Sequence, residues 1–189
     1  MKTAFLRGTV PYDGEPLNSL WAYRNHGVQG DSMLAFVGPC DVRVEKLVDL
    51  EDALAGAYIW SESMLHLIVE NFELDLEAAI LRQYLIVSMV QDELNSRQKK
   101  ARVTRSGNDL YAVKAGKRGK LSVSIATLTP VSSKIHFGIN ISSKGTPVPA
   151  LGLKDLGIEP RALGRALLTR YEQDCEKMLK ARSKVKGVS

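Results

Sequence analysis

Apolar and polar positions alternate most regularly between Gly107 and Ile141, and the rest of the chain is arranged around that stretch. Leu110, Ala112 and Val113 form a first extended run. Leu121, Val123, Ile125 and Thr127 alternate with Ser122, Ser124 and Ala126 in a second. Ile135, Phe137, Ile139 and Ile141 alternate with His136, Gly138, Asn140 and Ser142 in a third. A period of two puts one set of side chains on a buried face of a sheet and the other on an open face. Turn residues at 106–109, 116–119 and 130–133 separate the runs. On this pattern the open face carries Ser122, Ser124, His136 and Asn140, with Lys120 at its mouth. Small hydroxyls beside one lysine suit an anionic or acyl-phosphate ligand group better than bulk water.

The flanking segments alternate between strand and helix signals. Residues 3–7 predict a strand and 11–15 a turn. Pro16 suits the first turn of a helix through Leu17, Leu20, Trp21 and Arg24, which ends at His26-Gly27. The loop 28–32 contains Gly30 and Asp31 and leads into an apolar run, 33–37, that stops at Gly38-Pro39. Strand, glycine and acid in this order either cradle a phosphate or form a structural hairpin, and Gly30 and Asp31 are candidates to close a pocket. Residues 42–48 read as a short strand or an irregular link, and 57–60 as a strand. The apolar run 64–70 is read as a strand, which places His66 and Glu70 on one face, His66 as a core or edge histidine. Residues 74–95 give the clearest helix, with Leu76, Ile80, Leu81, Tyr84, Leu85, Val87, Met89 and Leu94 as a broad stripe interrupted by Arg82 and Gln83. A basic turn at 97–100, a strand at 102–105, a loop at 143–149, a helical turn at 153–156 and a long helix over about 160–180 complete the chain.

Composition narrows the class. A chain of 189 residues with 44% apolar and 25% charged content predicts one globular domain with a real core. No run of about 18 uncharged apolar residues occurs, so no membrane span is expected. Charge interrupts residues 1–7 too early for a signal peptide, and the two distant cysteines, Cys40 and Cys175, fit a reducing cytoplasm. The net charge of +5 is unevenly placed. Residues 1–95 carry 6 Lys/Arg against 15 Asp/Glu, and residues 96–189 carry 20 against 6. Either the halves pack and partly neutralise each other, or a basic surface meets phosphate, nucleotide or nucleic acid. No triad, metal cluster or P-loop is visible in the spacing.

Three segments carry a family resemblance: HGVQGDSMLAFVGPCDV (26–42), MLHLIVE (64–70) and GKLSVSIATLTPVSSKIHFGIN (119–140). The whole chain resembles the small archaeal and bacterial proteins grouped as domain of unknown function 366. A second, remote resemblance covers residues 74–141, which look like the second half of the biotin and lipoate protein ligase catalytic domain. Its carriers are the helix 74–95, then Asn108-Asp109-Leu110, Lys120-Leu121-Ser122-Val123-Ser124, and Ile135-His136-Phe137-Gly138. It implies an α+β fold with a mixed, largely antiparallel sheet and helices mainly on one side. It also implies an acyl or adenylate ligand on one sheet face, with ATP as a candidate co-substrate. Lys120 falls where those enzymes place a lysine at the carboxylate–phosphate junction, and Asn108, Asp109, Ser122, Ser124, His136 and Asn140 would position the ligand. The ligases' arginine- and glycine-rich adenylate loop has no counterpart at 28–31 or 60–63, and Val123 replaces a glycine common in them. The expected protein is an intracellular acyltransferase or adenylating ligase. The alternatives are a nucleic-acid or tRNA-associated module and a degenerate ligase fold that only binds a metabolite. A homodimer is left open.

Overall fold

The structure, a computed structural model, describes residues 1–99 and 101–188; Lys100, the end of the expected basic turn, lies outside the described residues. Its frame is a five-stranded sheet. The strands are β1 (Lys2–Thr9), β2 (Ser32–Val42), β3 (Ile59–Asn71), β7 (Ser122–Leu128) and β8 (Ser133–Asn140), in the order β1-β2-β3-β8-β7. β1 and β2 are parallel and every other pair is antiparallel. A separate antiparallel sheet of three short strands holds β4 (Arg102–Ser106), β5 (Asp109–Lys114) and β6 (Lys117–Lys120). This is the mixed, mostly antiparallel α+β architecture expected.

The two faces of the large sheet are occupied differently. Met33, Ala35, Leu65, Leu67, Val69, Ile135, Phe137 and Ile139 share one face, as their cross-strand pairing requires. Two long helices cover them, α3 (Leu76–Arg97) and α5 (Pro160–Arg182). Asp75 caps α3 by accepting from Ala78 N–H, and Glu159 caps α5 ahead of Pro160. The opposite face carries Leu34, Phe36, Met64 and Ile68, and the N-terminal segment lies over part of it through Tyr12 and the short helix α1 (Trp21–His26). α2 (Leu50–Leu54) and α4 (Leu153–Leu156) are single turns in the connections.

Several local readings are corrected by tertiary structure. β2 does not stop at Gly38-Pro39 but continues to Val42 through a register shift between Gly38 and Cys40. A Cβ at Gly38 would lie 1.8 Å from the Val10 carbonyl oxygen, so the glycine is there to let two backbones touch. Loop 28–31 joins neither arm of a hairpin, because β1 and β2 run parallel. The expected helix from Pro16 is broken in two: a 3₁₀ turn at Glu15–Leu17 and α1, with Leu20 between them in the left-handed region (φ 61°). Residues 117–120, expected in a turn, form β6. On α3 the stripe is rotated: Ala79, Gln83, Ile86, Val87, Val90 and Leu94 are buried, whereas Leu76, Ile80, Leu81 and Tyr84 stay exposed.

Candidate functional site

The sheet face not covered by α3 and α5 opens into a cavity of about 330 Å³ near the C-terminal end of β2, the N-terminal end of β3 and the junction of β6 with β7. Its floor and walls are largely apolar and aromatic, including Tyr12, Val42, Trp60, Met64, Val123 and Ile125. Lys120, Asn108, Asp109, Ser122, Ser124, His136 and Asn140 also line it. Seven of the nine candidate residues therefore meet at one concavity, although not with the side chains in the roles expected.

Lys120 is the last residue of β6. Its backbone is held on both sides by the loop that follows β8: Lys120 N–H donates to Pro149 O (3.0 Å) and Leu151 N–H donates to Lys120 O (3.1 Å). Its ammonium sits 2.8 Å from Asp109 Oδ2, and the two side chains are 30% and 22% exposed. The lysine is thus fixed at its base, paired at its tip and still reachable from the cavity.

Ser122 and Ser124 turn the other way. Ser122 pairs with Ile139 and Ser124 with Phe137, so both serines share the helix-side face with those apolar residues. Ser122 Oγ accepts from Leu110 N–H (2.8 Å). Ser124 Oγ accepts from Gln83 Nε2 (2.8 Å) and donates to Asn108 O (3.0 Å). The cause is Leu121, which falls between β6 and β7, donates to Leu110 O and accepts from Asn140 N–H, and is fully buried in the helix-side core like the Ser122 that follows it. One extra residue at that junction inverts the inside–outside order of everything after it. Val123 and Ile125 therefore face the cavity. Asn108 and Asn140 spend their amides on backbone, Nδ2 donating to Ser124 O (3.2 Å) and to Lys120 O (3.4 Å) respectively.

Gly30 and Asp31 are not among the lining residues. The parallel pairing of β1 with β2 puts their loop at the opposite end of the sheet from Val42. There Asp31 ties chain segments together: its Oδ1 accepts from Phe72 N–H (2.8 Å) and its carbonyl from Lys2 N–H (2.8 Å).

His136 does face the cavity, and it is not alone. Its Nε2 lies 3.0 Å from Nδ1 of His66, whose own Nε2 lies 3.2 Å from the Gly38 carbonyl oxygen. Tyr12 stacks on the His136 ring with centroids 3.6 Å apart, and Phe36 stacks on His66 at 4.9 Å. Opposite His66 on β8 stands Gly138, where a Cβ would come within 3.3 Å of the His136 ring. Burial lowers the pKa of both imidazoles, His66 to about 4 against the favourable pull of the Gly38 carbonyl, and His136 well below the ordinary range. Both rings are neutral at pH 7.

Further along the same face, Lys134 and Glu70 form a sealed ion pair (3.1 Å), with side chains 0% and 2% exposed. Ser132 Oγ and Leu20 N–H also donate to Glu70 Oε1, at 2.8 and 2.9 Å. That last bond explains the break before α1: the buried carboxylate holds Leu20 in its left-handed conformation. The His66 partnership and this network escaped the sequence reading. Even spacing put His66 with Glu70 on a common face, but only strand pairing shows that His136 and Lys134 of β8 meet them across the sheet.

The sequence profile of the family described as Domain of unknown function (DUF366) matches residues 1–186. "Uncharacterized protein MJ0805" of Methanocaldococcus jannaschii is 35% identical over 185 residues, covering 94% of this chain and 81% of that protein. A solved structure, "Protein of Unknown Function from Pyrococcus horikoshi", superposes with a TM-score of 0.91 at 36% identity, covering 100% of this chain and 99% of the other. The biotin protein ligase of Aquifex aeolicus, solved with biotin and ATP, superposes with a TM-score of 0.57 at 15% identity, covering 93% of this chain and 71% of the ligase. The fold is therefore similar to the biotin and lipoate protein ligase core, at an identity that speaks for the fold alone. Among the described residues no helix is long and apolar enough to cross a membrane, and both cysteines are free.

Proposed function

This chain belongs to the DUF366 family, and we propose that it is an acyl-handling protein whose cavity binds a small ligand with an apolar body and a single anionic head group. The observation that carries this reading is Lys120: an ammonium fixed through its backbone and through Asp109, at the edge of a cavity lined mainly by apolar and aromatic side chains. A preorganised cation at such a boundary binds a carboxylate, and it stabilises negative charge that grows when an acyl carbon is attacked or an acyl phosphate departs. The apolar wall supplies affinity through buried area and leaves orientation to the few polar groups.

A triphosphate suits the cavity poorly. Its lining cations are Lys120 and Lys46, and each already serves carboxylates, Lys46 those of Asp13 and Glu15. Asp49 and Asp52 add negative charge to the wall. Loop 28–31 lies at the far end of the sheet, and residues 60–63, of which Trp60 and Ser61 line the cavity, are extended strand β3 and not a glycine-rich phosphate loop. No step through ATP is derived, and acyl transfer is favoured over adenylation.

A thermal-shift screen with octanoate, lipoate, biotin, ATP and nucleobases tests this, since a ligand that binds only the native state raises its stability. An apolar carboxylic acid is expected to raise Tm in the wild type and not in Lys120→Ala. A shift with ATP alone, or an acid-induced shift that survives Lys120→Ala, overturns the reading. The basic residues exposed on and beyond α5, among them Arg161, Lys177, Lys180 and Lys184, support nucleic-acid binding as a second reading. RNA binding that falls steeply with salt, at a site the acids do not compete for, would favour it.

A further inference from the structure

We infer that the occupant of this cavity presents an N–H or O–H donor to Nδ1 of His136, and that His66 is the positioning residue that keeps that nitrogen an acceptor. The inference rests on the proposed acyl-ligand reading and narrows its substrate class: an apolar acid that carries a hydrogen-bond donor besides its head group, not a plain hydrocarbon chain.

The proton positions follow from the bonding partners once both buried rings are neutral. The Gly38 carbonyl can only accept, so His66 Nε2 carries hydrogen. A neutral His66 then has a bare Nδ1, which must accept from His136 Nε2–H at 3.0 Å. A neutral His136 in turn has a bare Nδ1. That atom has no hydrogen-bond partner among the described residues, and it is not among the sealed, unpaired polar atoms; His136 lines the cavity, so the cavity reaches it. Each member of the chain thus sets the tautomer of the next, starting from a backbone carbonyl that cannot change its role.

The surroundings hold this arrangement rigidly. Tyr12 and Phe36 stack on the two rings, and Gly138 leaves the room across the strand that lets the imidazoles meet. Burial lowers both pKa values, which keeps the rings neutral and the cavity-facing nitrogen bare. A fixed acceptor in a mostly apolar wall discriminates strongly, because a ligand without a donor leaves it dehydrated and unpaired. His136 and Lys120 line the same cavity, so the donor and the anionic head belong to one ligand.

Two measurements test it. Nitrogen-15 NMR of the wild-type protein at neutral pH should show both His66 and His136 protonated at Nε2 and bare at Nδ1; a proton on Nδ1 of His136 overturns the inference whether or not any ligand binds. Calorimetry then compares octanoate with ω-hydroxyoctanoate, which differ by one terminal hydroxyl. The hydroxy acid is expected to bind wild type at least about fivefold tighter, and His136→Phe to erase that preference while leaving octanoate within about twofold. Should His136→Phe not fold, His66→Phe serves: the preference should shrink and His136 should show mixed tautomers. Equal loss for both acids in His136→Phe would make the ring mere packing and overturn the inference. Lys120→Ala should weaken both acids alike, so its failure to do so strikes the acyl-ligand reading and not the histidine assignment.

Discussion

Two lysines, one on each of the two sheets, show how one side chain serves opposite ends. Lys134 on β8 and Lys120 on β6 each pair with a carboxylate at similar distance, 3.1 and 2.8 Å. Lys134 is wholly buried, and its carboxylate partner also takes Ser132 Oγ and Leu20 N–H, so that pair is closed to solvent and to ligands. Lys120 is about a third exposed beside a cavity, and Asp109 is its one carboxylate contact. The first lysine fixes the N-terminal segment to the sheet, and the second, on the proposed reading, offers charge to an incoming group. Burial and the number of partners separate structure from function here; the residue type and the salt bridge do not.

The sharpest way to break the comparison is at the sealed end. Lys134→Met is expected to destabilise the fold by about 3–5 kcal/mol, because it leaves the Glu70 carboxylate buried without its counter-charge. Urea denaturation followed by circular dichroism reads this as a lowered midpoint at constant slope. A loss below about 1 kcal/mol would mean that water reaches Glu70 and that the two lysines are not so different.

The histidine pair lies on the same face of the large sheet as Lys134, and its effect is read by pH. Both folded-state pKa values are depressed, so the native state holds neutral rings while the unfolded chain titrates near 6.5. The unfolded state then binds more protons between pH 6.5 and about 4, and stability falls as the pH drops through that window. Their contribution becomes complete and flat only above about pH 8, where the unfolded chain's imidazoles are neutral too. Between pH 6.5 and 5 the slope should exceed one proton and approach two, roughly 1.4 to 2.7 kcal/mol per pH unit. Replacing both residues with phenylalanine should flatten that part of the curve; an unchanged slope would place the titration elsewhere.

How far the sequence carried this comparison depends on what each signal encodes. Period-two alternation identified β7 and β8, because one-sided burial leaves that mark on a strand; the strand containing His66 rests on a continuous apolar run, which does not by itself separate strand from helix. It could not say which face of β7 is open, since the extra residue at Leu121 inverts the order and is itself an ordinary buried leucine. The pattern assigns the open face to the Ser122 and Ser124 side chains, whereas Val123 and Ile125 turn toward it and the two serine hydroxyls are spent on Leu110 N–H, Gln83 and Asn108 O. Gly38-Pro39 looked like a stop because the close approach of Val10 that demands the glycine is a tertiary fact. Gly30 and Asp31 had the composition of a ligand loop, and only the parallel β1–β2 pairing sends them to the wrong end. On α3 the apolar stripe misled because Gln83 is buried for its bond to Ser124, while Leu81 is left outside. Lys120 could be read because it is framed by a turn and a strand. Lys134 offers no such frame, since its partner is 64 residues away.

At the open end the expected loss is functional. Lys120→Ala removes an ion pair that is partly exposed on both sides, so stability should change by about 0.5–1 kcal/mol at most. Binding of an apolar acid, or turnover if a reaction is found, should fall by an amount on the order of a few kcal/mol in the anionic state. Denaturation and calorimetry on the same preparation give both numbers.

Lys117→Ala sharpens the same contrast with the smallest effect. Lys117 opens β6, three residues before Lys120, and pairs across the strands with Lys114. It is exposed, does not line the cavity and makes no ion pair among the described residues. Removing it takes the same unit charge from the same strand while leaving Asp109, Lys120 and the cavity wall in place. At physiological salt the screening length is about 8 Å, so an exposed charge at that remove should alter affinity by less than about twofold. It should alter stability by no more than about 0.5 kcal/mol. Titrating an acid into Lys117→Ala and Lys120→Ala side by side therefore separates a placed charge from a general field. Equal, modest losses in both variants would make Lys120 one member of a basic surface and favour the nucleic-acid reading. A loss confined to Lys120→Ala locates the anion at the Lys120–Asp109 pair.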